Sequence, residues 1–272
     1  MSDDFRRAVL EKLGQASYPK YLRRSSAEIV ETISAAMVQV VAGEIFEEEA
    51  KVGGSKIGGL PDVPSDFSWP CEKDDGANPL ALVCQINLAE AGPHSAGRLP
   101  QVGMLYLFSI YDSNRAYGYE IDVSTTKLIY LRNPEQASLL RTQAPDALTS
   151  EGVFEEARVS FGPSLICEEI DEESGRPDSM RFDHAIEKAL SKAIRDCGGR
   201  SGELRMLGNA HFFREEVAED YDPKNECQLF AISGYTVAKH AFGEGEFTVT
   251  ITNDALAKGA LDKSWLVFEP GT

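Results

Sequence analysis

Gly53-Gly54-Ser55-Lys56-Ile57-Gly58-Gly59-Leu60-Pro61-Asp62-Val63-Pro64 is followed by Trp69-Pro70 and then by Pro79-Leu80-Ala81-Leu82-Val83-Cys84-Gln85-Ile86-Asn87-Leu88. Two glycine pairs flank a three-residue spacer, and glycine reaches positive φ and close backbone approach where a Cβ would block both. Pro61 and Pro64 stiffen the next segment, which cannot donate fully to a sheet ladder. The stretch therefore reads as a shaped loop leading into an apolar strand. Its spacing matches neither G-x-x-x-x-G-K-[ST] nor G-x-G-x-x-G, and no helix-forming run follows Gly59, so a structural turn is preferred to an anion cradle.

Working outward, residues 3–13 and 26–42 read as helices. The second is supported by a capping box, with Ser25 three residues before Glu28, and by apolar Ile29, Ile33, Met37, Val40 and Val41. Beyond the loop the pattern changes to short apolar strands at Leu80–Leu88, Gly103–Ile110, Ala116–Val123 and Lys127–Leu131. Ser113-Asn114 and Ser124-Thr125-Thr126 can turn one strand into the next, which predicts an antiparallel meander in preference to a parallel doubly wound sheet. Arg181–Cys197 reads as a further amphipathic helix stopped by Gly198-Gly199. The expected fold is α+β, with mostly antiparallel sheets from two weakly related halves and amphipathic helices packed on them. A single domain over 1–272 is expected, with a helical segment 1–50, a first half 51–165 and a second half 166–272. The echo between the halves is carried by Cys84-Gln85-Ile86 and Cys227-Gln228-Leu229, each after a loop, Leu60-Pro61-Asp62 and Met206-Leu207-Gly208-Asn209 respectively.

The Ser55-Lys56-Ile57-Gly58-Gly59-Leu60-Pro61 motif, the Trp69-Pro70 turn and the strand Pro79-Leu80 to Gln85-Ile86-Asn87-Leu88, closed by the glycine-led Gly103-Met104-Leu105-Tyr106-Leu107-Phe108, resemble the YwqG-like proteins, a family of unknown function. The likeness returns at Leu207-Gly208, at Glu226-Cys227-Gln228-Leu229, at Asp254-Ala255-Leu256 and at Trp265-Leu266-Val267-Phe268, and so spans most of the chain after the first helices. At Asn209-Ala210-His211 the chain departs from the proline-aspartate turn and glutamine that similar proteins often carry. The resemblance implies an α+β fold built from two related halves and supplies no catalytic residues.

Acidic residues number 44 against 27 basic, for a formal charge of -17. That balance argues against a nucleic-acid partner, because phosphate binding needs a positive footprint, and it suits a solvated acidic surface or a basic partner. Met1-Ser2-Asp3-Asp4 is acidic where a secretory leader is basic, and the apolar run Ala35–Val41 is too short to cross a bilayer, so a cytoplasmic protein without membrane attachment is expected. The five cysteines, 71, 84, 167, 197 and 227, form no C-x-x-C pair and indicate neither a disulfide framework nor a zinc knuckle.

No catalytic constellation emerges. Cys84 with His94 is the local nucleophile candidate, but a cysteine inside an apolar strand is ordinarily inert packing. Phe161-Gly162-Pro163-Ser164-Leu165 lacks the second glycine of G-x-S-x-G. Histidines 94, 184, 211 and 240 show no metal spacing beyond His211 with Glu215 at i,i+4 on a possible helix, and the acidic loops at Asp74 and Asp171 lack a calcium loop's closing glutamate. No metal or cofactor is expected. Asp62 and Asp66 lie near Trp69, where a carboxyl beside an aromatic face can have a raised pKa, though loop aspartates commonly bond their own backbone. Trp69 reads as a lid on the core in preference to a stacking platform, because large aromatics are mostly buried.

The binding residues expected are therefore Lys56, Gly58, Gly59, Asp62, Trp69 and Gln85, lining a cleft at the loop 53–70 of a non-catalytic binding or protein-interaction module. Two other readings stand beside it: a hydrolase or transferase using loop carboxylates such as Asp62 with Lys56, and an immunity-type protein that binds a basic partner.

Overall fold

The computed structural model of the protein describes residues 2–72, 78–111, 125–135, 138–170, 177–179, 182–202, 204–238 and 245–269. The strand expected at Ala116–Val123, the turn at Ser113-Asn114, the acidic loops at Asp74-Asp75-Gly76 and Asp171–Gly175, and His240 lie outside the described residues.

Three helices precede or interrupt the sheet: α1 (Ser2–Gln15), α2 (Ser26–Ala36) and, after a short α3 (Leu88–Ala91), α4 (His184–Asp196). Ser25 caps α2 as its spacing predicts: its hydroxyl accepts from Glu28 N at 3.3 Å while its own N–H donates to Glu28 Oε2 at 2.7 Å. One apolar stripe from each long helix, Val9 and Leu13 of α1, Ile29 and Ile33 of α2, Ile186 and Leu190 of α4, gathers over Met37 and Leu165 of the sheet. The shorter helices among the described residues are α3, α5 (Glu215–Glu219), α6 (Gly234–Ala238) and α7 (Asn253–Ala257).

The strands are β1 (Met37–Phe46), β2 (Lys56–Ile57), β3 (Asp62–Val63), β4 (Ala81–Asn87), β5 (Met104–Ser109), β6 (Thr126–Leu131), β7 (Leu140–Arg141), β8 (Ala157–Ile170), β9 (Pro177–Ser179), β10 (Leu204–Met206), β11 (Glu226–Ser233), β12 (Glu246–Thr252) and β13 (Trp265–Glu269). They form one antiparallel sheet in the order β13-β12-β11-β10-β1-β8-β2-β4-β5-β6, with β9 also on β8, and a separate pair β3-β7. The architecture is α+β and antiparallel, as expected.

One expectation fails at the centre of this sheet. The helix expected over 26–42 stops at Ala36, and Met37–Phe46 is a ten-residue strand paired along its whole length with β8. Valines at 38, 40 and 41 prefer extended backbone, and a full ladder outweighs the helical spacing that Ile33, Met37 and Val40 share with it. Strand β8 itself carries Pro163 opposite Val41, in a stretch whose only strand neighbour among the described residues is β1, so the missing N–H breaks no ladder on the other side.

The strand order is mirrored about the β1/β8 pair, and so are the registers. Ile57 of β2 faces Ala157 of β8 and Cys84 of β4, just as Met206 of β10 faces Val41 of β1 and Phe230 of β11. Both β4 and β11 are irregular opposite their next neighbour, at Leu82/Cys84 and at Gln228/Phe230. The carbonyls of Val83 and Leu229 at those irregularities accept from Gly58 N at 3.0 Å and Leu207 N at 3.2 Å, and both donors have positive φ, +60° and +69°. Leu88 N donates to Gly103 O where α3 begins, and Gly234 N donates to Gly245 O where α6 begins. In these pairings Phe230, not Cys227, occupies the position that corresponds to Cys84.

One apolar cluster draws on both halves, with Val83, Ile86, Leu105 and Leu107 on one side and Leu229, Ile232, Phe247 and Val249 on the other. Full burial of each such side chain stabilises the fold by roughly 1.5–3 kcal/mol. A smaller cluster under β3 and β7 packs Val63, Leu82, Tyr106, Phe108 and Leu139 together.

Candidate functional site

The loop and strand signature converges on a closed polar knot. β2 places Lys56 directly opposite Gln85 of β4 and Arg158 of β8, and Gln85 lies opposite Tyr106 of β5, so this row of side chains shares one face of the sheet. Asp62, at the start of β3, reaches back into the row. Its Oδ2 accepts from Gly53 N and from Gln85 Nε2, both at 3.0 Å, and lies 3.4 Å from Lys56 Nζ, while Oδ1 accepts from Arg141 Nε at 2.9 Å. Its backbone is held as well: Asp62 N donates to Gln85 Oε1 at 2.8 Å, and Tyr106 OH donates to Asp62 O at 2.7 Å. Glu156 closes the other side, accepting from Lys56 Nζ at 3.2 Å and from Ala50 N at 3.0 Å, with Arg141 Nη1 at 3.1 Å. Two cations and two carboxylates balance, and Lys56, Asp62 and Gln85 are each 0% exposed.

Burial depresses the Lys56 ammonium below its ordinary value of 10.5, with Asp62 and Glu156 acting against that shift. Burial works to raise the Asp62 carboxyl, but hydrogen bonds from Arg141 and Gln85, the Lys56 charge and Gly53 N–H overcome it and hold the pKa below 3.8. Arg141, whose pKa is raised first by its hydrogen bond to Asp62, and Glu156 complete the network. Neither was among the residues expected from sequence; the acidic pair Glu155-Glu156 and the lone Arg141 carry no local signal.

Gly58 and Gly59 turn the chain away from this knot. A Cβ on Gly58 would lie 2.3 Å from Glu155 O, and one on Gly59 would lie 2.3 Å from Glu156 Oε2, so both glycines permit close approach as well as positive φ. Trp69 stands apart. Its ring meets Phe108 edge-on at 5.8 Å and its Nε1 donates to Leu80 O at 2.9 Å, which makes it a half-buried cover on the small apolar cluster.

Two crevices lie close to the knot. The first, of about 610 Å³, lies between α3 and β8 beside Ser55 and Glu90. Its charges are largely paired: Arg158 Nε donates to Glu48 Oε1 at 2.7 Å, and Lys51 lies 4.0 Å from Glu90. The second, of about 570 Å³, lies between α6 and β1. Ile45, Ile57, Phe154, Ala157 and Val237 give it an apolar floor, and Glu44, Glu47, Glu155 and Glu156 surround it. Arg200 lies 3.5 Å from Glu44, and Glu156 belongs to the knot, but Glu47 and Glu155 form no ion pair among the described residues. Tyr235 on the same rim is 54% exposed, and Thr236 Oγ1 is buried with no hydrogen-bond partner among the described residues.

The other candidate chemistries separate. Cys84 is buried in the shared core, and burial pushes its thiol up to about 12. His211 precedes α5 instead of lying on a helix with Glu215; it stands 4.0 Å from Glu168, a buried carboxylate bonded by Asn209 Nδ2 at 2.6 Å and raised in pKa chiefly by burial. Sequence reasoning did not single out Glu168, which a strand and a loop distant in sequence bring to Asn209. Among the described residues no group of three metal-ligating side chains assembles, and no helix is long and apolar enough to cross a membrane.

No curated protein matches this chain. A family match covers residues 55–269, from the residue before Lys56 to the end of β13, and so takes in the signature from Ser55 onward, the knot side chains of Lys56, Asp62, Gln85, Arg141 and Glu156, and the sheet except β1. By that match the chain belongs to the family described as a domain of unknown function, DUF1963.

Proposed function

We propose that this chain is a cytoplasmic binding module that takes up a protein partner with a basic surface, and that the partner sits in the crevice between α6 and β1. The observation that carries this reading is an apolar floor edged by Glu47 and Glu155, carboxylates without an ion-pair partner among the described residues. The formal charge of -17 supports it by steering a cationic partner toward the surface. In this reading Lys56, Gly58, Gly59, Asp62 and Gln85 act as the frame that fixes one wall of the crevice through Glu156, and Trp69 seals the neighbouring apolar cluster.

The same residues weigh against a hydrolase or transferase centred on Asp62 and Lys56, because both are fully buried and both Asp62 oxygens are engaged. The immunity-type version, with a basic toxin as partner, is one member of the proposed class and rests on charge alone. The mirrored registers support an internal duplication, and the signature residues support the YwqG-like name for the family resemblance.

The test is a peptide array of basic and acidic sequences probed with the intact chain at about 50 and about 300 mM salt. Retention of basic peptides that weakens with salt, and weakens about tenfold in Glu47→Lys/Glu155→Lys at unchanged thermal stability, is the expected result. Salt-indifferent retention, or binding unmoved by the charge reversal, contradicts it.

A further inference from the structure

The crevice beside α6 opens over a face of the sheet. Ile57 of β2 is paired with Ala157 of β8, Ala157 lies two residues from Val159, and Val159 is paired with Ile45 of β1, so Ile45, Ala157 and Ile57 share one side of the sheet, and Val237 of α6 adds to that floor. On the β1 side the crevice is closed by Ser201 and Gly202, whose backbone is so close that a Cβ on Gly202 would collide with Gly43 O. What enters therefore meets side chains and not an open ladder. Among the described residues none of those lining the crevice is a cation. Glu44 lies beside Arg200, and Glu156 is held by Lys56 and Arg141, which leaves the exposed Glu47 and Glu155 to face a ligand. Tyr235 lines the same crevice with 54% of its surface open.

Resting on the binding reading above, we infer that the crevice is an arginine pocket: one arginine of the protein partner lays its methylenes on Ile45, Ile57 and Val237, stacks its guanidinium on Tyr235 and donates to Glu47 and Glu155. An apolar floor under an anionic rim suits a side chain with an apolar stem and a charged end. A wholly apolar side chain would leave the rim carboxylates without a counter-charge. Lysine shares the stem, but its compact ammonium is strongly hydrated and gains little from leaving water. The guanidinium is planar and more weakly hydrated, stacks on aromatic faces, and carries five donors, enough to serve carboxylates that arrive from two separate segments. Tyr235 thus sets the preference for arginine, and Glu47 with Glu155 sets the requirement for charge.

The experiment titrates the intact, isotope-labelled chain by NMR with the capped peptides Gly-Ser-Ala-X-Ala-Ser-Gly, in which X is arginine, lysine, citrulline or norleucine. Citrulline keeps the shape of arginine without its charge, and norleucine keeps only the stem. The arginine peptide is expected to bind about fivefold or more tighter than the lysine peptide, and about tenfold or more tighter than the two neutral ones. Tyr235→Leu is expected to bring the arginine peptide down to the lysine level, whereas Tyr235→Phe keeps the preference. Equal affinity for arginine and lysine, or a preference that survives Tyr235→Leu, overturns the arginine pocket while leaving a basic partner intact. Absence of binding by every peptide overturns it as well; if the array also retains no basic sequence in a salt-sensitive way, the binding reading falls with it.

Discussion

Asp62 accepts hydrogen bonds from Gly53, Gln85 and Arg141 and faces Lys56; Asp62, Lys56 and Gln85 are fully buried, and Arg141 is partly exposed. Removing its charge leaves Lys56 and Arg141 without their balance, so Asp62→Asn is expected to cost about 3–5 kcal/mol in urea unfolding. A catalytic aspartate would show the reverse pattern, with stability kept and a turnover lost. The sign of the pH dependence follows from the depressed carboxyl: its contribution is present above the ordinary value of 3.8 and is lost as pH falls through the lower folded value. Glu168 and Glu246, raised mainly by burial, act oppositely, contributing most below 4.5 and losing that contribution as pH rises through their folded values. Urea midpoints across the acid range should therefore fall steeply at the acid end in the wild type, and Asp62→Asn should lose that component of the slope. Lys56, Asp62 and Gln85 were readable as a set because a short motif carries them. Arg141 and Glu156 were not, since they lie 79 and 100 residues from the partners they meet and only the tertiary fold brings them there.

Among the elements, the paired-glycine turn is where local chemistry alone was sufficient. Gly58 has φ +60° with a backbone oxygen 2.3 Å from a would-be Cβ, whereas Gly97 has φ +82° with nothing within 4 Å. Alanine at Gly97 is expected to cost about 1 kcal/mol from backbone conformation, and alanine at Gly58 clearly more, because Glu155 must also move. Equal destabilisation in paired urea curves would mean that the close approach at Gly58 carries no weight. The capping box of α2 and the strands β4 and β5 were likewise visible in sequence, but β1 and β8 were not. Met37, Val40 and Val41 fit helical spacing, and Pro163 interrupts what is otherwise a strand pattern; only the ten-residue ladder between the two strands decides both.

At the scale of the whole molecule, the two crevices differ in chemistry. The one beside α3 is closed by the Arg158–Glu48 pair, whereas the one beside α6, lined from both halves of the chain, leaves Glu47, Glu155 and Tyr235 exposed over an apolar floor. The echo was perceptible in sequence only as a displaced Cys-Gln match, because the features shared by the halves are backbone ones, the irregularities at Val83 and Leu229 and the positive φ at Gly58 and Leu207. The side chains around them differ, Lys56 against Arg205 and Gln85 against Ala231. The acidic balance was plain from composition, yet the gathering of Glu44, Glu47, Glu155 and Glu156 around one apolar crevice depends on the tertiary fold. The most direct measurement is residue-resolved hydrogen exchange of the intact chain with and without the basic peptide that the array retains best. Slowed exchange confined to the lining of the crevice, residues 44–47, 154–157 and 235–237, is the expected result; protection centred on the Lys56–Asp62 knot, or spread without regard to the crevice, would contradict the account.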